Sequence, residues 1–486
     1  MTIKKLSITA ATAALLLSTG CDYAENDDII VSQRSHEALE QQQQQPTPDD
    51  GKDYTIWAFV HDFSYMYYVW CDNVPYKIDY SKYDTPNALF DSFRHKDDRF
   101  STVVNNYTEV KESFSNIYET DGIISQLYRD GESGDKVVAM VKYVYDNSPA
   151  KEAGIKRGYA IHKVNGTQLT TANYSELLDQ KTCTYTYSVI TTKYVDGEPK
   201  ISYGDDQKDS PAITKKQMDI DPILKTDVIN KNGRRIGYFL YDAFTDNTDC
   251  VIKAIEKLTA QQIDDLVLDL RINGGGYTNT LDTLASMLVP DGHEGDTFLV
   301  DTYNSSVTAE LRRQYKNKDF NKSHFSPMDV KLNLPRLYVL TSRRTASASE
   351  QLISGLMPYM DVVIIGESTY GKFTTNVLLN DTDDQGSDTD GIPYREWAVY
   401  LCIATCTNSL GEMNFKDGFK PNYEIADTYQ YELGDENEPL LAKAIELCTG
   451  SIAKSAKKQP APQNGYIGHH GKPSDKYGLI DNRQKL

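Results

Sequence analysis

The chain lacks the signatures that would settle its chemistry through a metal or a cofactor. It has no Cys-x-x-Cys and no His-Glu-x-x-His, and its 8 histidines are scattered, so no metal site and no cofactor are expected. It lacks a phosphate loop: its one glycine run has no Lys-Ser/Thr ending, and Gly-x-Gly-x-x-Gly is not matched. It also lacks an excess of positive charge. With 51 Lys and Arg against 70 Asp and Glu the formal net charge is −19, which argues against a nucleic-acid partner, since phosphates need clustered cations. Cysteine is sparse, 7 in 486 residues. Cys402 and Cys406 lie four apart with no histidine at ligand spacing. In an oxidising compartment some cysteines could pair, but the spacing reads as buried small hydrophobes and no disulfide is assigned.

What is present begins with an export pattern. Lys4 and Lys5 precede an apolar run, Leu6 to Leu17, that is too short to span a bilayer. Ser18-Thr19-Gly20-Cys21 resembles a bacterial lipobox, although the usual Leu three before the cysteine is absent and Leu17 sits four before it. Residues 1–21 are therefore expected to be a lipoprotein signal, with Cys21 lipidated and the protein anchored to a membrane of the cell envelope. The acidic stretch that follows, Asp22 to Asp28, leaves periplasmic and cell-surface exposure both open. Residues 22–52, with Gln41 to Gln45 and Pro46-Thr47-Pro48, read as a flexible tether.

A chain of 486 residues exceeds one core, and roughly two to four domains are expected. From 53 to 112 apolar and aromatic residues recur at three- and four-residue spacing (Trp57, Val60, Phe63, Tyr67), which predicts packed helices. Residues 113–200 carry a strand at Val137 to Val144, then Asn147-Ser148-Pro149-Ala150 as a helix start, Gly158 as a stop, and Asn165-Gly166 as a tight hairpin. In that order these resemble a PDZ domain, a module that holds peptide C-termini by strand addition. The resemblance places its carboxylate loop near Asp121-Gly122-Ile123-Ile124. The polar stretch 195–215 reads as a joining loop. From 215 to 450 short apolar strands alternate with helical patterns, which predicts an α/β core. The last 36 residues, 451–486, show little apolar periodicity and are expected to be a mobile tail.

Three motifs in the α/β segment carry chemistry. Leu266-Val267-Leu268-Asp269-Leu270-Arg271-Ile272-Asn273-Gly274-Gly275-Gly276 is a buried strand running into glycines, where consecutive N–H groups can face one concavity. Ser347-Ala348-Ser349-Glu350 opens a helix. Gly366-Glu367-Ser368-Thr369-Tyr370-Gly371-Lys372 follows the next strand. A serine is a poor nucleophile near neutral pH, and a neutral lysine in a dry site can serve as its base. No Gly-x-Ser-x-Gly elbow surrounds Ser347, which disfavours a Ser-His-Asp hydrolase.

Together these strings resemble the S41 peptidases, the C-terminal processing or tail-specific protease family, over about Tyr54 to Gly450. Asp98-Arg99-Phe100-Ser101 resembles the string that closes the N-terminal helical region of many such proteins. The resemblance implies a ClpP/crotonase-like α/β catalytic core with a PDZ domain and an N-terminal helical region. It implies Ser347 as nucleophile, Lys372 as base, and the N–H groups of Gly275 and Ala348 as oxyanion hole, with Gly276 assisting the turn. The family's lysine-orienting Gln falls here at Asn376, a shorter amide. Protein or peptide substrates follow. Two rival readings are a silent peptide-binding lipoprotein, and a small-molecule carrier, since the fold also resembles retinoid-binding repeats. An active-site label that lands on no residue would favour the first, and co-purified lipid without proteolysis the second.

Overall fold

The structure is a computed structural model. It describes residues 54–130, 134–195, 198–316, 319–380, 396–450 and 465–476. The signal segment with Cys21, the tether and most of the tail lie outside the described residues. Among the described residues no helix is long and apolar enough to cross a membrane. No group of His, Cys, Asp and Glu there could hold a metal ion. The six cysteines from Cys71 to Cys448 form no disulfide, and five of them are buried.

The chain opens with helices α1 (Thr55–Tyr67) and α2 (Pro86–Phe93) and the short strand β1 (Thr102–Val104). Thr85 caps α2, its hydroxyl accepting from the Ala88 N–H at 3.1 Å, and Pro86 occupies the first turn, where its missing N–H costs nothing. A lobe follows, with strands β2 (Ile123–Arg129), β3 (Val137–Val144) and β4 (Tyr159–Val164), helix α3 (Tyr174–Leu178), and strands β5 (Tyr185–Val195) and β6 (Glu198–Tyr203). The polar stretch expected to be a loop instead pairs, β5 with β6 antiparallel from Ile190↔Tyr203 to Val195↔Glu198. Its strands show no apolar alternation, the signal by which a half-buried strand is read. The lobe is entered through Ile117–Thr120 and left through Lys216–Asp219. These two strands pair with each other as an antiparallel neck, Lys216↔Thr120 to Asp219↔Ile117. The lobe therefore extends past residue 200, where the sequence pattern faded.

The core comprises β7 (Ile223–Lys231), β8 (Arg234–Tyr241), α4 (Thr248–Ala260), β9 (Asp265–Asp269), α5 (Thr278–Leu288), β10 (Thr297–Tyr303), β11 (Arg336–Thr341), α6 (Ala348–Leu356), β12 (Asp361–Gly366), β13 (Thr374–Asn380), β14 (Ala398–Asn408), β15 (Tyr423–Glu424) and α7 (Pro439–Thr449). One sheet runs β7-β8-β9-β11-β12-β15, parallel from β8 onward. Alternation decides its two faces. Tyr238, Leu240, Val267 and Leu340 face α7, through Leu440, Leu441 and Ala444. Phe239, Tyr241, Leu266, Leu268 and Val339 face α4, α5 and α6. A second, antiparallel sheet centred on β14 pairs with β1, β10 and β13, so the N-terminal region adds a strand to the core's own sheet. Residues of α1 and α2 also share the larger apolar cluster with the core helices, so the N-terminal region and the core are one packed body.

The tail departs from its expected mobility. Strand β16 (Tyr466–His470) pairs antiparallel with the edge strand β2, Tyr466↔Tyr128 through His470↔Ser125. Beyond it Lys472 Nζ reaches buried Asp242 at 2.6 Å, and Asp475 pairs with buried Arg344 at 2.8 Å. This polar segment carries too few apolar residues to signal burial, and ladder bonds and ion pairs hold it instead. Burial holds His469 well below the usual imidazole range, helped by the charges of Arg344 and Lys142. Burial beside Lys215, Arg344 and Lys476 lowers His470 to about 3. The undocked segment therefore binds protons that the docked one excludes, and docking weakens as pH falls below about 6.5, by roughly 1.4 kcal/mol per histidine per pH unit. Amide exchange of β2 should accordingly rise steeply between pH 7 and pH 5, whereas protection unchanged after correction for intrinsic exchange would contradict it.

Candidate active site

Three loops leave the carboxyl ends of neighbouring parallel strands, which is why motifs about a hundred residues apart meet. The glycine run follows β9, the Ser347 loop follows β11, and the Lys372 loop follows β12. Register aligns Asp269 with Leu340 and Thr341 with Gly366.

The glycine turn is anchored from below. Arg271, fully buried, pairs with Asp269 at 2.7 Å and with Glu438 of the loop before α7 at 2.7 Å. Tyr238 donates its hydroxyl to Asp269 at 2.7 Å. Asn273 shapes the turn: its Nδ2 donates to the Tyr241 carbonyl at 3.1 Å, and its Oδ1 accepts from the Gly275 N–H at 2.8 Å and the Ser349 hydroxyl at 3.0 Å. Gly275 is at φ 101° against Ser347. A Cβ added there would meet the Ser347 Cβ at 2.7 Å and the Ala348 nitrogen at 2.9 Å. Gly276 is at φ 142°, where a Cβ would lie 2.0 Å from the Phe244 carbonyl oxygen. Both positions therefore require glycine.

Ser347 stands immediately before α6 with φ 57° and ψ −122°. That region costs a non-glycine residue about 1–3 kcal/mol, so the surroundings must hold it. They do so through its own backbone: the Ser347 N–H donates to Glu350 Oε2 at 3.1 Å, and its carbonyl accepts from Glu350 and Gln351 at 2.8 and 2.9 Å. Ala348 opens α6 with its N–H at the positive end of the helix. Among the described residues the N–H groups of Ala348 and Gly276 have no hydrogen-bond partner. The Gly275 N–H, expected as a donor to substrate, is instead committed to Asn273. The free glycine donor thus lies one residue later, at Gly276, on the side away from the Phe244 ladder.

Lys372 is buried. Its amine donates to the Tyr400 hydroxyl at 3.0 Å and lies 4.7 Å from that ring's centroid. Its backbone is fixed twice. Arg99 donates to the Gly371 carbonyl at 2.9 Å, which gives the Asp98-Arg99-Phe100-Ser101 string a task at the lysine loop. Asp98 Oδ1 in turn accepts from the Phe100 and Ser101 N–H groups at 2.9 and 2.8 Å. Asn376, expected to orient Lys372, does not reach it. Its Nδ2 donates to Cys402 Sγ at 3.3 Å and the Phe100 carbonyl at 3.5 Å, while its Oδ1 accepts from Thr374 at 2.8 Å. A register shift between Thr375 and Asn376 in the β13–β14 pair turns this short amide aside.

The residue that joins the two motifs is Glu350. Its Oε1 accepts from the Thr369 hydroxyl at 2.5 Å and the Gly371 N–H at 2.7 Å; its Oε2 accepts from the Lys372 N–H at 2.8 Å and the Ser347 N–H at 3.1 Å. Burial pushes this carboxyl up to about 7, against the pull of its four donors. Sequence reasoning assigns Glu350 no role, although its place three residues after a serine is capping-box spacing. Tyr400 carries no signal, since it is one tyrosine in a strand far along the chain. Replacing Gly275 with alanine should cut turnover about 100-fold, the scale of one lost oxyanion donor, because the Ser347–Ala348 backbone must shift. A normal kcat in that variant would show that the turn does not set the geometry.

Comparison with known proteins bears on the family and the fold. Residues 235–425 match the family model described as peptidase family S41, and residues 58–102 match the peptidase S41 N-terminal domain. The chain carries a peptidase family S41 domain. Among curated relatives, this S41 chain is 26% identical over 275 residues to a chloroplastic C-terminal processing peptidase of Tetradesmus obliquus, covering 54% of each chain. It is 27% identical over 334 residues to the carboxy-terminal processing protease CtpA of Bacillus subtilis, covering 67% of this chain and 60% of that one. The S41 chain thus spans only part of the length of these relatives. A crystal structure of a putative S41 protease from Bacteroides fragilis superposes with a TM-score of 0.65 at 25% identity, covering 84% of this chain and 100% of that one. The mixed sheet-and-helix S41 fold with its N-terminal domain is the fold described above.

Proposed function

We propose that this chain is a serine-type endopeptidase in which Ser347 is the nucleophile and Lys372 its general base. The observation that carries the reading is the single buried carboxylate, Glu350, that binds the backbone N–H of both residues and so sets one loop against the other. Ser347 Oγ attacks the scissile carbonyl carbon while its proton passes to Lys372 Nζ. The C–N bond breaks, the leaving amine takes that proton, and an ester to Ser347 remains. Water then attacks the ester, giving a proton to Lys372, and Ser347 leaves as the hydroxyl. The oxygen that becomes negative in each step is met by the N–H groups of Ala348 and Gly276. Tyr400 positions the amine in place of the family's amide.

Protein or peptide chains are the substrates, cleaved near C-termini that the lobe between the neck strands recognises as a PDZ domain. The names of the curated relatives support C-terminal processing, and the order of turns and strands in the lobe supports the PDZ reading. The basic, apolar and small-residue order of the first 21 residues supports a lipid anchor at Cys21 and a place in the cell envelope. A fluorophosphonate probe, followed by peptide mass spectrometry, tests the core of this reading. The expected adduct is on Ser347 and disappears in Lys372→Ala. A protein left unlabelled at Ser347 ends the peptidase account.

A further inference from the structure

The edge of the lobe is already occupied. In the lobe sheet β2 lies between β3 and β16, so without β16 its outer row of N–H and C=O groups would be bare. An edge of that kind accepts any extended segment that can complete the ladder. Here the chain completes it with its own tail. Ile467 packs against the apolar cluster that contains Leu127 of β2 and Leu178 of α3, so the added strand also covers part of the lobe core. At Gly471, φ 123°, the segment passes so close to β2 that a Cβ would lie 2.1 Å from the Ile123 carbonyl oxygen.

Two features mark this contact as exchangeable. Two side chains of β16 pack on the lobe's apolar clusters, Ile467 on one face and Tyr466 on the other, both only partly buried, and the remaining contacts are ladder bonds and ion pairs. Within the strand pair, two buried polar atoms of directly opposed residues lack partners among the described residues: Gln126 Nε2 on β2 and His469 Nε2 on β16. A strand fitted for permanence would satisfy these groups, since each orphan costs about 1–3 kcal/mol. The segment also touches the nucleophile loop. Arg344, three residues before Ser347, is buried and pairs with Asp475, and Arg343 lies 4.9 Å from the Tyr466 ring centroid.

We propose that residues 465–476 are a self-bound strap on a peptide-accepting edge, and that an extended peptide with an aliphatic side chain at the Ile467 position displaces it. The strap holds the lobe in a self-occupied state, and incoming peptide exchanges with it while freeing Arg344 from Asp475. This deepens the peptidase reading and rests on it.

The test uses the full chain carrying Ser125→Cys and His470→Cys, residues directly opposed in the β2–β16 pair. Oxidised, this protein should hydrolyse a test peptide at least tenfold more slowly than after reduction, while fluorophosphonate labels Ser347 equally in both forms. Equal hydrolysis in the two forms overturns the strap. Loss of labelling in both forms overturns the peptidase reading instead. A second measurement uses a fluorescent peptide with the sequence of residues 465–476. It should bind a chain ending at residue 464 at least tenfold more tightly than the full chain, and the same peptide with Ile467→Asp should not bind. Equal affinity for the two chains overturns the proposal. If the shortened chain fails to fold, the comparison of oxidised and reduced cross-linked protein decides alone.

Discussion

Replacing Ser347 with alanine should lower peptide cleavage by at least about 1,000-fold while the protein keeps its fold. The side chain is only partly buried, so little packing is lost, and the bonds that hold its strained backbone come from its N–H and carbonyl, which alanine retains. The residual rate comes from the donors at Ala348 and Gly276. Lys372→Ala should fall to a similar floor, and the double variant should fall no further, because the two groups act as a unit. Initial rates on a fluorogenic peptide, with melting curves for each variant, separate loss of chemistry from loss of fold. A Ser347→Ala protein with rates within tenfold of the parent would remove Ser347 from the chemistry.

Glu350→Gln should damage both stability and turnover. The carboxylate offers acceptors to four donors, whereas a glutamine amide offers one oxygen and turns an NH2 toward donors that need the other. Leaving one or two of these buried donors unmatched costs about 1–3 kcal/mol each. The Ser347 and Lys372 backbones would lose their common tie, so kcat should fall about 100-fold or more. KM should change less, because the Glu350 carboxyl faces backbone groups of the two loops. Calorimetry and steady-state kinetics on one preparation separate the two effects. Unchanged melting together with unchanged kcat would show that the loops hold each other without it.

Much of the site was legible in the sequence because its three strings each follow a strand whose apolar run is unmistakable, such as Leu266 to Leu268 and Val362 to Ile365. Local order then places the glycines, Ser347 and Lys372 at strand ends. What could not be read was reach across the chain. Tyr400 meets Lys372 only because β14 lies beside β13, and Arg99 meets Gly371 only because the N-terminal region packs into the core. The one-residue move from Gly275 to Gly276 depends on which N–H the Asn273 side chain captures, a question of turn geometry. The tail was missed for a different reason: its burial is polar, and periodicity reports apolar burial alone.

The paired neck has a bearing on how such enzymes diversify. Because Ile117–Thr120 and Lys216–Asp219 run side by side, the points where the lobe departs and rejoins are separated by about one interstrand spacing, roughly 5 Å. A segment joined at two such adjacent points can be exchanged without altering the path of the core chain, provided the replacement rebuilds the buried face where Ile124 and Tyr145 pack with Tyr238 and Leu240 and where Arg157 pairs with Asp427.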